Sequence, residues 1–269
     1  AHAGAAPWLG RSAVHAAELF APGLNLMREH VQPTVRMHYK YDQAGLAPNV
    51  VPDYARLTVI VRDTERASVE ALTSWVTQVA EGAALATQTT ARAEVVNGAY
   101  DLLPNGPLAE RMQTQLERIG VPGYSANELD FALEMQRNYG APDQGMAGAV
   151  SPLPDDRTVL GASTDVGDVS YLTPTIGASV PTLPLGIGLH TWAATASHGT
   201  SIGLKGALMA ARVLAGMGLD LVTDAELRAS ARADFDQRTQ GNPYRSPLPA
   251  ERKHPLGTPP ELLAKMERS

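Results

Sequence analysis

The sequence is 269 residues long, with 44% hydrophobic and 19% charged side chains, which is enough chain to bury a substantial core and to form about two domains. A net charge of -6 and a pI near 5.6 argue against a nucleic-acid or anionic-membrane partner, since both favour a basic surface. Cysteine is absent, so disulfides and thiolate chemistry are excluded, any metal site must use His, Asp and Glu, and a cytoplasmic location is expected.

The chain opens with a loop over Ala1 to Ala13 that carries His2 and Trp8. From Val14 to Glu29, Ala17, Phe20, Leu24 and Met27 fall at helical spacing, and Pro22-Gly23 is expected to kink or interrupt that helix. Thr34 to Tyr41 alternates: Val35, Met37, Tyr39 and Tyr41 face one way, and Arg36, His38 and Lys40 the other, which predicts a strand with one buried face. Gln43 to Pro52 is a turn in which Pro48 and Pro52 hold Asn49-Val50-Val51 extended and expose the Asn49 amide. Capping of that turn is the plainer role for Asn49. A second strand is predicted over Ala55 to Arg62. A helix capped by Asp63 or Thr64 follows and ends near Gly82 to Ala86, and a third strand is predicted over Thr89 to Val96. This order gives an α+β layer with one sheet covered by two helices, lacking its opening strand.

Tyr100 to Pro107 reads as a linker. Beyond it, helices are predicted over Leu108 to Ile119 and Ser125 to Asn138, the second capped by Ser125 or Asn127. Ala141 to Asp156 is an irregular loop, and Thr158 to Leu160 and Ser179 to Leu185 are short strands. Ser201 to Gly218 and Asp224 to Asp236 are helices, and Gln237 to Ser269 is a Pro-rich tail. The longest apolar run, Gly206 to Leu219, is shorter than a bilayer span of about 20 residues and contains Arg212, so no membrane crossing is expected.

The stretch richest in chemistry is GIGLHTWAATASHGTSIGLKG, Gly186 to Gly206. It sets His190 and His198 between a Pro/Gly-rich loop and a small-residue helix. An imidazole held there suits metal ligation or a developing charge, although a lone histidine is more often structural. Upstream, GASTDVGDVSY (Gly161 to Tyr171) brings Asp165 and Asp168 into a second loop suited to the same pocket.

These stretches, with AHAGAAPWLGRSA, PNVVPDYARLTVIVRDT, EGAALATQTT and PYRSPLP, occur in an order and spacing that resembles the aminobenzoyl-glutamate hydrolases. The likeness is to their B-type subunits, within the aminoacylase and glutamate-carboxypeptidase superfamily of dinuclear-zinc amidohydrolases. The resemblance implies an α/β enzyme with a lid domain that mediates dimerisation, over residues 1 to 100. Residues 101 to 269 would be the C-terminal part of a mixed-sheet catalytic domain. It implies that His190 is a metal ligand and that His2 is the lid histidine that stabilises the tetrahedral oxyanion. Asn49 matches the lid asparagine that contacts substrate. The loop from Ser163 to Asp168 lies where the family lines its pocket, and Thr164, Asp165 and His198 are expected to bind substrate, with no particular role fixed for Arg157, Asp165, Asp168 or His198.

The resemblance also implies two zinc ions, or manganese or cobalt, held mostly by residues outside this chain. The Glu-Glu pair that the family uses in the N-terminal half of its catalytic domain is absent. A second polypeptide carrying that half is therefore expected, with a homodimer or hetero-oligomer formed through the lid. The expected chemistry is amide hydrolysis of an N-acyl amino acid, aminobenzoyl-glutamate-like or dipeptide-like. The alternative is a non-catalytic protein for binding or assembly.

Overall fold

A computed structural model of the protein describes residues 1–154, 163–240, 243–248 and 250. The chain divides into two compact units, one of Ala1–Asp101 with the described residues from Arg245 onward, the other of Leu102–Tyr244.

In the first unit, helix α1 (Ala13–Met27) precedes an antiparallel pair, β1 (Arg36–Ala44) and β2 (Ala55–Arg62), and helix α2 (Arg66–Thr87) follows. The alternation read from β1 is realised over its first part: Val35 and Met37 are buried, Tyr39 is half-buried, and Arg36, His38 and Lys40 are exposed. Tyr41, expected on the buried face, is instead exposed next to a register shift between Tyr41 and Gln43. Phe20, Leu24 and Met27 of α1 and Leu72 and Ala83 of α2 close over Val35 and Met37. Pro22 does not interrupt α1. A proline inside a helix costs about 3 kcal/mol. Buried side chains on both sides of it, Phe20, Leu24 and Met27, return roughly 1.5–3 kcal/mol each. The neighbouring glycine has a packing reason, because a Cβ on Gly23 would lie 2.6 Å from Val79 Cγ1 on α2.

Helix α2 starts slightly later than expected and ends at Thr87, next to the expected end near Gly82 to Ala86. Its N-cap is Glu65, not Asp63 or Thr64, and it runs past Gly82 to a left-handed C-cap at Gln88 (φ 56°). The third strand predicted over Thr89 to Val96 does not form, and the sheet has only β1 and β2 among the described residues. β-branched residues favour a strand only where a partner supplies the ladder.

The second unit packs helices α3 (Gly106–Ile119), α4 (Ala126–Tyr139), α5 (Val166–Ser170), α6 (Trp192–His198), α7 (Ser201–Thr223) and α8 (Ala225–Arg238). Leu108 and Met112 of α3, Met209, Val213 and Met217 of α7, and Leu227 and Ala231 of α8 form one core. Asn105, expected in a linker, is a buried N-cap: its Oδ1 accepts from Leu108 N at 3.3 Å and its Nδ2 donates to Ala231 O at 2.9 Å. Ser125 caps α4 in a reciprocal box with Glu128.

No strand forms among the described residues of this unit, so they contribute none of the mixed sheet expected there. The strand predicted over Ser179 to Leu185 is irregular because Pro181 and Pro184 remove the donors a ladder needs. The one predicted over Thr158 to Leu160 lies outside the described residues, as does Arg157. Short helices α5 and α6 arise where loops were expected. Helix α7 is longer than the apolar run seen in the sequence. A window within its 23 residues reaches a mean hydropathy of 1.4, so by length and composition alone it is able to cross a membrane. One face nonetheless lies in the core through Ile202, Met209 and Val213, while Leu204, Leu208, Leu219 and Val222 are exposed.

Candidate active site

Of the residues singled out from the sequence, His2 and Asn49 belong to the first unit, and Thr164, Asp165, His190 and His198 to the second. His2 and Asn49 are brought together. The opening residues pair with the Asn49 turn through a His2–Val50 bridge, with Ala3 N donating to Asn49 O and Val51 N to Ala1 O, both at 2.9 Å. Asn49 is not extended as expected: it lies in a turn closed by Val50 N donating to Ala47 O at 3.2 Å, with Val50 making the bridge, and its side chain is exposed.

Nδ1 of His2 accepts from Gly4 N and from Ala5 N, each at 3.1 Å. A ring nitrogen that accepts two backbone hydrogen bonds carries no proton, so the neutral ring bears its hydrogen on Nε2. The exposed face of His2 is thus a hydrogen-bond donor whose orientation is set by a local turn.

In the second unit, Thr164 and Asp165 are exposed and lead into α5, where Val166 N donates to Thr164 Oγ1 at 3.3 Å. His190 lies two residues before α6 and His198 is the last residue of that helix. His198 Nε2 lies 3.0 Å from Thr182 Oγ1. His190 is exposed, and its backbone is left-handed (φ 63°), a conformation that L side chains seldom adopt. Its ring makes no hydrogen bond to any described residue. The next residue, Thr191, caps α6 by accepting from Ala194 N at 3.2 Å and donating to Gly188 O at 2.8 Å.

Among the described residues no three His, Asp or Glu side chains gather closely enough to hold a metal ion. His190 fits the part of a single ligand; these residues do not make a whole centre.

Two polar constellations escaped the reading of the sequence. Glu128 is nearly buried and takes hydrogen bonds from Lys205 Nζ and Ser201 Oγ at 2.6 Å and from Ser125 N at 2.7 Å. The Lys205 ammonium above all, then the two other donors, pull its pKa down to about 2. The spacing of Ser125 and Glu128 is a readable capping box, but nothing local points to Lys205. A cleft of about 380 Å³ opens beside this pair between the starts of α4 and α7, and no residue predicted for the site lines it. The second constellation is centred on Gln136, fully buried at a core position of α4. A polar residue in the apolar stripe with Ala132 and Met135 is the signal that marks it.

Residues 1–88 match the peptidase dimerisation domain. Over 275 aligned residues the chain is 33% identical to the B component of p-aminobenzoyl-glutamate hydrolase from Escherichia coli K12, covering 93% of this chain and 57% of that protein. The chain is therefore similar to M20 peptidases, whose dimerisation domain its first 88 residues match. It is 27% identical to the human Xaa-Arg dipeptidase, covering 89% of this chain and 49% of that protein. Over 102 residues it is 35% identical to a Haemophilus influenzae homolog of the A component of p-aminobenzoyl-glutamate hydrolase, covering 38% of this chain and 24% of that protein. The chain spans about half the length of the longest-aligned of these relatives. The match to the dimerisation domain and these likenesses agree with the resemblance read from the motifs.

Proposed function

We propose that this chain is an M20 peptidase component that supplies the lid and the C-terminal part of the catalytic domain of a metal-dependent amidohydrolase. Its substrate is an N-acyl amino acid, aminobenzoyl-glutamate-like or dipeptide-like. The observation that carries this reading is the His2 turn: two backbone donors on Nδ1 leave Nε2–H as a directed donor beside Asn49, on a peptidase dimerisation domain. A donor of this kind suits the carbonyl oxygen that gains negative charge during amide hydrolysis. Asn49 would contact substrate, and Thr164, Asp165 and His198 would line the pocket. His190, whose ring makes no hydrogen bond to any described residue, would give one ligand to a dinuclear zinc site, or one of manganese or cobalt. When bound, such a pair of metals activates water for attack on the amide.

The remaining ligands and the general base would come from polypeptide equivalent to the half of the relatives' length that this chain does not span. The exposed apolar face of α7, with Leu204, Leu208, Leu219 and Val222, is compatible with packing against such a partner.

The second reading, a non-catalytic assembly protein, is favoured by the lack of a three-ligand cluster among the described residues. The deciding experiment assays the complex with its co-purifying partner for metal content and for hydrolysis of aminobenzoyl-glutamate, N-acyl amino acids and Xaa-Arg dipeptides. His190→Ala should lower metal content and abolish hydrolysis. His2→Ala should keep the metal and lose roughly 100-fold in turnover, the effect of removing one oxyanion donor. Normal hydrolysis by both variants overturns the assignments, and no hydrolysis by any complex favours the assembly reading.

A further inference from the structure

We propose that Gln136 is a positioning residue for His190, its buried amide clamping the backbone segment that carries that histidine. This inference rests on the reading of His190 as a functional side chain.

The Gln136 amide has two N–H donors and an oxygen able to accept twice, and the fold uses all four. Nε2 donates to Leu185 O at 2.7 Å and to Gly145 O at 3.2 Å. Oε1 accepts from Gln144 N at 3.1 Å and from Gly145 N at 2.9 Å. Leu185 N donates in turn to Gly145 O at 2.9 Å, closing a ring of bonds from α4 to the loop after it and on to the approach to His190. Gln136 is fully buried, so no water replaces any of these partners.

Downstream of this anchor the path is tightly specified. Gly186 takes a positive φ of 75°, and Ile187 is buried against Met135, Ala193 and Ala194. Gly188 passes so close to Tyr139 that a Cβ there would lie 2.8 Å from its hydroxyl. The Thr191 cap fixes the far end through Gly188 O and Ala194 N. His190 lies between these anchors with no bond from its ring among the described residues, so the direction of that ring is set by the backbone. A non-glycine residue in the left-handed region persists only where its surroundings over-determine it. Gln136 supplies the N-terminal half of that determination.

The alternative is that Gln136 merely fills space in α4, a role methionine would serve equally well. Gln136→Met and Gln136→Glu separate the two on the full chain. The first removes all four bonds. The second keeps acceptance from Gln144 N and Gly145 N and turns both donations into oxygen–oxygen repulsion. Hydrogen exchange read by mass spectrometry should show the backbone amides from Leu185 to Thr191 exchanging roughly tenfold faster in both variants, with α3 and α8 unchanged. The ¹³Cα resonance of His190, which reports its left-handed φ, should shift or split while that of His198 holds.

In the assembled enzyme kcat should fall with KM little changed. The clamp is refuted if the Leu185 to Thr191 amides and the His190 resonance match wild type in both folded variants. Uniform acceleration across the whole unit, or loss of cooperative folding in both variants, refutes it too, because the role would then be general stability. Should His190→Ala hydrolyse normally while the Gln136 variants still release this segment, the ligand reading fails and the clamp stands.

Discussion

Glu128 and Lys205 meet at 2.6 Å, carboxylate oxygen to ammonium nitrogen, and join the first turn of α4 to the second turn of α7. Because the pair holds the Glu128 pKa at about 2, below its ordinary value, the ionised form is favoured by the folded state. Its stabilisation is fully present above the ordinary pKa of about 4.5 and is lost as pH falls toward about 2. Glu128→Gln removes that dependence. Urea midpoints should differ most between wild type and Glu128→Gln near pH 6, and the gap should shrink between about pH 4.5 and pH 2. A gap that is constant with pH counts against the pair.

A second prediction concerns α7, whose glycines are not equivalent. A Cβ on Gly203 would lie 2.2 Å from His198 O, a backbone atom that cannot swing away, whereas at Gly218 nothing lies within 4 Å. Gly203→Ala should therefore destabilise by about 1–3 kcal/mol through overpacking. Gly218→Ala should stabilise by about 0.5–1 kcal/mol, the ordinary helix preference for alanine. Thermal unfolding of both variants checks the contrast, and equal shifts would contradict the close approach of α6 and α7.

How much of this was legible in the sequence depended on how local the cause was. The alternation of Val35 and Met37 against Arg36 and His38, the Ser125 cap and the start of α8 at Asp224 are written within a few residues, and the structure realises all three. Thr89 to Val96 looks like a strand by propensity, but whether it pairs depends on a partner elsewhere in space. The continuation of α1 through Pro22 depends on α2 lying against it, which no local window contains. For the site, the Asn49 turn was readable from its flanking prolines. That Ala1 to Ala3 would pair with it was not, since such a bridge joins residues distant in sequence. The sequence places Gln136 on α4 but not its contacts, because its four partners are backbone groups, which carry no residue-type signature.

The His2 turn makes a spectroscopic prediction. With Gly4 N and Ala5 N both donating to Nδ1, the neutral ring should carry its proton on Nε2. Long-range ¹H–¹⁵N correlation at a pH where the ring is neutral distinguishes the tautomers directly. A protonated Nδ1 would remove the directed donor on which the proposed role of His2 rests. Because His2 is exposed, His2→Ala should change stability by no more than about 0.5 kcal/mol, so loss of turnover would be separable from loss of fold.

The last prediction weighs His190 against itself. A left-handed backbone costs a residue bearing a Cβ roughly 1–2 kcal/mol, and glycine avoids that cost while losing more entropy on folding. With φ at 63° and no bond from the ring to any described residue, His190 contributes little packing to offset the strain. His190→Gly should therefore raise stability by about 1 kcal/mol, whereas His190→Val, branched at Cβ, should lower it. A chain kept at such a position for structural reasons alone would gain nothing from histidine. If His190→Gly stabilises the fold and abolishes metal-dependent hydrolysis by the complex, the strain is the cost of aiming an imidazole. If His190→Gly destabilises the fold, the ring is structural and the ligand role is lost.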